Sequence, residues 1–369
     1  MTEHAADFEW RGEGEGAEVV LYAPNPAVAD AAFERALPAA RLPGVISPVY
    51  AAASSRELRL SRDFGWVAAS NTHVAPDLTS VPEWGLLLVA DALIESVSGT
   101  PGEVPRLISR RLSEVALPSL DTADVRRISE SDAYWAAEEG LIEEEDLPFL
   151  TPSAGDADAL GRRSISAGAQ DWTRPGELHA FRVAEILDPQ GAGEMGLEVG
   201  ALAFVISAGA EDLGRLAFAG HRERILARTM SGDFDPSVDL PTALVETEEA
   251  RDLLAASGAV MNYAAGRVAL IVYALRRALR VDVGVLRLRA AWRVGGAEER
   301  NGAVLHRSGV AAAEDGEALV SGRTIAVGTG GMLGSAPPFA TPEQDGRWPW
   351  EEAGVLVQWA ILEPLDNLV

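Results

Sequence analysis

Apolar and polar positions along the chain alternate between short strand-like runs and a few helical stripes. The run EVVLYA from Glu18 predicts a strand. Over 27–37, AVADAAFERAL, the residues Ala27, Ala31, Phe33 and Leu37 share one helical face, and Pro38 and then Pro43-Gly44 are expected to stop that helix. From Val45 to Leu93 the pattern is strand-like with proline and glycine punctuation, including FGWVAAS at 64–70 and WGLLLVAD at 84–91. Residues 102–116 place Val104, Leu107, Ile108, Leu112 and Val115 on one side of an amphipathic helix. A second helix is expected from Ser131 to a glycine cap at Gly140, followed by the acidic run EEED at 143–146, read as a solvated loop or helix start. Strands are predicted at 183–187 and 201–206, with the glycine-rich turn GAGEMG between them.

The clearest helix spans 246–280, opening on acidic residues and closing on Arg276, Arg277 and Arg280, the order that the helix dipole favours. Its middle, MNYAAGRVALIVYALRRAL, is apolar on more than one side, which predicts a helix buried all round at the centre of the fold. Alternating segments VDVGVLRLRAAWRV and GAVLHRSGV follow, then the glycine-rich IAVGTGGMLG and a final EEAGVLVQWAILEPL. No fixed-period repeat or long linker divides the chain. The expected architecture is α+β: one large domain over 18–369 with mixed β-sheets and a central buried helix, preceded by a flexible segment at 1–17 containing RGEGEG.

Composition narrows the chemistry more than the shape. The 369 residues contain no lysine and no cysteine, which excludes thiolate nucleophiles, disulfides, Schiff bases and a Walker A lysine. A formal charge of −25 repels polyanions and argues against nonspecific DNA binding. The N-terminus, with Glu3, Asp7 and Glu9, lacks the apolar run of a signal peptide, and the apolar stretches Gly85–Ala90 and Val199–Ala210 are shorter than the roughly 20 residues of a spanning helix. A cytoplasmic protein without a membrane partner is therefore expected.

The candidate sites are scattered. His179, in PGELHAFRVAEI, is expected just before a strand, where its side chain either projects into a cleft or is simply a packed or surface residue, since a metal site needs several converging ligands. Asp91, at the end of an apolar strand, either faces solvent or needs a buried partner. His306, Arg307 and Ser308 precede Gly309, a grouping suited to a phosphate and equally to a surface loop. Gly328, Gly330 and Gly331 in GTGGMLG can cradle an anion with backbone N–H groups, although the spacing and lysine of a P-loop are missing. Arg276, Arg277, Arg280, Arg287, Arg289 and Arg293 form either a basic stripe or a solvated helix end and strand face.

Taken in order, these segments resemble the RtcB family of RNA ligases. The resemblance is carried by ARLPGVISPVYAAAS at 40–54, FGWVAAS, the proline-led strand from Pro82 to Leu93, and ESDAYWAAEEGLIEEEDLPFL. It continues through GELHAFRVAEI, FVISAGAEDLG, the helix around MNYAAGRV, VLHRSGVAA and GTGGMLGS. It implies enzymes of RNA repair and tRNA splicing, which join a 3′-phosphate to a 5′-hydroxyl using GTP and manganese. Carried over position by position, the family's catalytic set is depleted. Its Asp-x-x-Cys metal motif falls on Leu88 and Asp91. Its Asn-His motif falls on Leu178 and His179, and the next histidine and arginine fall on Ser207 and Glu211. The His-Asn pair after the central helix lands near Val285 and Leu286, and in the His-Arg-Lys-Gly motif the lysine is Ser308. After GTGGMLGS there is no histidine to match the guanylylated one, so the chain is expected to lack the family's C-terminal nucleophile region.

The resemblance therefore implies a pseudoenzyme: an RtcB-like scaffold that binds, assembles or regulates, with no cofactor, acting through a protein partner or self-association, with RNA as a partner the family suggests. The alternative is a divergent RNA ligase or phosphate-end-processing enzyme using manganese and GTP. That reading requires Asp91, His179, His306 and Arg307 to converge in space.

Overall fold

The computed structural model describes residues 9–13, 16–22, 26–53, 64–97, 103–150, 153–172, 176–186, 189–194, 196–229, 240–300, 302–308, 311–312, 318–321, 324–329 and 357–367. The first part of the chain runs β1 (Glu9–Glu13), β2 (Glu18–Tyr22), α1 (Pro26–Ala40), β3 (Val45–Ala53), β4 (Phe64–Ser70), β5 (His73–Val74) and β6 (Glu83–Leu93). The middle is mostly helical: α2 (Ile94–Val97), α3 (Val104–Leu112), α4 (Thr122–Glu138), α5 (Arg162–Asp171), β7 (Glu177–Ile186), α6 (Pro189–Glu194), β8 (Ala201–Gly209), α7 (Glu211–Thr229), β9 (Ala243–Leu244) and α8 (Glu248–Val283). Strands β10 (Leu286–Val294), β11 (Ala297–Arg300), β12 (Ala303–Ser308), β13 (Ala311–Ala312), β14 (Ala318–Ser321), β15 (Thr324–Thr329) and β16 (Val357–Asn367) complete it.

These elements make an α+β fold with two large sheets. The eight-stranded sheet, ordered β13-β10-β6-β8-β7-β16-β15-β14, is antiparallel throughout. The six-stranded sheet, ordered β1-β2-β3-β4-β12-β11, is mixed, because α1 carries the chain between the parallel neighbours β2 and β3. A two-stranded ladder joins β5 to β9.

Helix α8 is the axis of the main core. Every residue from Ala256 to Leu270 is buried, as its all-round apolar pattern requires. It packs against Trp84, Leu86 and Leu88 of β6 and Leu202, Phe204 and Ile206 of β8, with α4 and α7 on its other sides. The Trp84 indole donates to the Met261 carbonyl at 3.0 Å, and the Tyr263 hydroxyl donates to the Gly168 carbonyl at 2.7 Å. By length and composition α8 is also apolar enough to cross a membrane, and 89% of that apolar window is buried inside the fold. The opposite face of the same sheet carries a second cluster around Leu87, Val89, Phe181, Val183 and Val205.

Several boundaries differ from the sequence expectation. A strand precedes Glu18: β1 pairs antiparallel with β2 from Glu9↔Tyr22 to Glu13↔Glu18, and Ala17 is buried. Main-chain pairing at a sheet edge needs no apolar side chains, so the polar RGE stretch gave no sign of it. Helix α1 runs through Pro38 to Ala40. Helix α4 starts at Thr122 instead of Ser131, because Asp121 accepts from the backbone N–H groups of Ala123 and Asp124 at 2.7 and 3.0 Å, and Asp124 accepts from the Asp121 N–H at 2.9 Å. Its end at Gly140 is as expected, with φ +69°. The EEED run is not simply solvated: it enters a 3₁₀ turn over Glu144–Phe149, and Asp146 is buried.

Candidate functional site

Asp91 and His179 lie on the same face of the eight-stranded sheet without meeting. Leu87 of β6 pairs with Val205 of β8, which pairs with His179 of β7, so His179 stands two strands across and four residues along from Asp91. At about 4.8 Å per strand and about 3.3 Å per residue their α-carbons are roughly 16 Å apart. One ion held at about 2 Å from each donor cannot bridge that span. Asp91 takes the solvent-facing option: it is half exposed and ion-paired with Arg287 at 3.3 Å. His179 does not precede its strand. It is the third residue of β7, buried, with its ring 6.4 Å from that of Phe181.

His306 and Arg307 belong to the other sheet, in β12 between β4 and β11. The His306 imidazole is fully buried, and its Nε2 accepts the backbone N–H of Ala75 at 3.1 Å, so the neutral ring carries its proton on Nδ1. Burial lowers its pKa from the ordinary 6.5 to about 3. Arg307 donates to Glu298 at 2.6 Å, while Arg293 and Arg300 approach the same carboxylate at 3.6 and 4.0 Å. Burial pushes Glu298 upward, but these arginines outweigh it and bring its pKa down to about 2. Neither side chain is presented as a surface loop would present it. Among the described residues no group of three or more His, Asp or Glu is placed to hold a metal ion. The manganese that the resemblance implies thus has no matching donor set among the described residues.

The buried imidazole sets a pH dependence. An unfolded chain takes up the His306 proton near pH 6.5, whereas the folded chain resists until about pH 3. Its contribution to stability is complete above about 6.5 and is lost as pH falls, at up to about 1.4 kcal/mol per pH unit for one group. Between about pH 6.5 and 5.5, above the range in which Glu298 titrates in the unfolded chain, His306→Gln should flatten the curve of denaturation midpoint against pH. Parallel curves for wild type and variant would remove this account of His306.

Of the glycine candidates, Gly328 lies in β15, where it pairs with Gln358 of β16, and Gly330 and Gly331 lie outside the described residues. The arginine stripe divides into separate groups. Arg287 turns to Asp91, and Arg293 to Glu298. Burial lowers the pKa of Arg289, and Arg287 lowers it further.

Arg276, Arg277 and Arg280 instead line one open cleft of about 760 Å³ between the last turns of α8, the start of β10 and the 140–143 turn. Both turns are made by glycines at positive φ, Gly140 at +69° and Gly284 at +72°, which let the chain reverse tightly beside the helix end. Arg276 is structural: it makes a two-pronged bond to Asp146 and donates through Nε to the Leu286 carbonyl at 2.9 Å. Arg277 lies over the Tyr273 ring, 5.9 Å from its centroid, and donates to the Tyr273 hydroxyl at 3.1 Å. The arginines were legible in the sequence as a basic helix end. Tyr273 and the turn opposite were not, because only folding brings 140–143 to 273–286. No protein-family model and no curated protein matches this chain.

Proposed function

We propose that this protein is a non-catalytic member of an RtcB-like lineage that works by binding instead of ligation. The observation supporting this reading is the use made of His306 and Arg307, the adjacent pair retained from the family's His-Arg-Lys-Gly motif. One accepts a backbone hydrogen bond inside the core, and the other, itself buried, is ion-paired with the partly buried Glu298. A nucleotide-handling site needs those groups turned toward a ligand. The wide placement of Asp91 and His179, each engaged elsewhere or packed in the sheet, supports the same reading and weighs against a divergent ligase. On this proposal the chain acts through a protein partner or a second copy, and its ancestral fold is retained as a rigid platform.

The test is incubation with GTP, manganese and RNA fragments ending in a 3′-phosphate and a 5′-hydroxyl. The expected result is unchanged RNA on a denaturing gel at protein concentrations equal to the RNA. A joined product that depends on GTP would overturn the proposal.

A further inference from the structure

The cleft at the end of α8 has no role in the reading above, and it presents cationic groups in a protein that carries 56 acidic residues against 31 basic ones. Some exposed arginines are committed to carboxylates: Arg126 to Asp158, Arg127 to Glu138 and Glu139, Arg222 to Asp77. Arg277 and Arg280, like Arg162 and Arg163 on α5, are not, but Arg277 and Arg280 line a cleft. Among the described residues neither is ion-paired, and the only side chain bonded to Arg277 is the phenol of Tyr273. They stand three positions apart on a helix, so their Cβ atoms are about 5–6 Å apart and both guanidinium groups can close on one oxyanion. Both residues line the same concavity near the C-terminal end of the helix.

We propose that this cleft binds a small phosphomonoester that also carries hydroxyl groups. The phosphate is selected by Arg277 and Arg280, whose planar forks match its oxygens in two-pronged fashion. Stacking of Arg277 on Tyr273 holds one fork ready before the ligand arrives. Glu143, on the facing turn, also lines the cleft, and its carboxylate repels a bare anion. It accepts a hydrogen bond from a ligand hydroxyl, which favours a hydroxylated ester over inorganic phosphate. A volume of about 760 Å³ admits such a molecule. Arg276 is the positioning residue: by gripping Asp146 and the Leu286 carbonyl, it fixes the far wall of the cleft against the helix.

Binding at this cleft does not depend on the RtcB resemblance. Its test is calorimetric titration of the full chain with glycerol 3-phosphate, inorganic phosphate and glycerol at constant ionic strength. Saturable binding of glycerol 3-phosphate is expected, weakened about tenfold or more in Arg277→Gln/Arg280→Gln. Glu143→Gln should weaken the ester and leave inorganic phosphate unchanged or tighter. Arg162→Gln/Arg163→Gln, a pair of exposed arginines on α5, should bind as wild type does. If the Arg277/Arg280 variant does not fold, Arg280→Gln alone carries the comparison, with a loss in the same direction. Absence of saturable binding, equal affinity in the Arg280 variants, or an equal loss in the α5 pair would each overturn the proposal.

Discussion

Asp146→Ala is expected to cost about 3–5 kcal/mol of folding stability, the range for stripping one partner from a buried ion pair. The Asp146 side chain is 5% exposed and that of Arg276 17%, so neither charge can turn to water when its partner goes. The carboxylate also accepts the Glu143 N–H at 3.1 Å, which closes the first turn of the 3₁₀ segment, while Arg276 reaches on to the Leu286 carbonyl. One bonded unit therefore ties the turn after α4 to the junction of α8 and β10. Denaturant unfolding of Asp146→Ala, Arg276→Ala and the double variant measures it. The double variant should lose clearly less than the sum of the two, because the second deletion removes a charge already stranded by the first. A loss below about 1 kcal/mol in Asp146→Ala, the level of an exposed pair, would contradict this assignment.

Gly258→Val is expected to be as damaging or worse, through sterics instead of charge. A Cβ at Gly258 would lie 2.1 Å from the Ala154 carbonyl oxygen and 2.6 Å from its carbon. The neighbouring Gly155 meets the same helix from the other side, where a Cβ would lie 2.4 Å from the Ala259 nitrogen. Both contacts are backbone against backbone, so no side-chain rotation relieves them. Overpacking of this kind exceeds the usual penalty of about 1–3 kcal/mol for an extra methylene, because α8 or the 153–156 segment has to move bodily. The expected outcome is loss of soluble folded protein, with Gly258→Ala following in the same direction. A Cβ added at Gly220, within α7, would meet nothing within 4 Å, and Gly220→Ala should be neutral or stabilising by about 0.5–1 kcal/mol. Similar behaviour at positions 258 and 220 would show that the close approach is not real.

What the sequence made legible follows from which forces leave a local trace. Burial does, so the all-round apolar run around Met261–Leu270 located α8, and the runs at 64–70 and 84–91 located β4 and β6. Interactions between distant segments leave none. Asp146 looked like part of a solvated acidic run because its partner, Arg276, lies 130 positions on. His179 was expected ahead of its strand because the strand was predicted only over 183–187, yet the ladder with β8 already begins at Glu177↔Ser207. His306 sat in a segment whose histidine, arginine and glycine read equally well as a loop. Its burial is decided by β4 and β11 closing on both sides. The candidate cleft was half visible: the three arginines of α8 were in view, and the glycine-formed turn that makes them concave was not.

The claim that a ligase-like scaffold has put its remaining reactive groups to structural use is tested most directly by the intact mass of the protein after exposure to GTP and manganese. The unmodified 39.0 kDa chain is expected at every time point. A stoichiometric increase matching one guanylyl group, on any side chain, would contradict it.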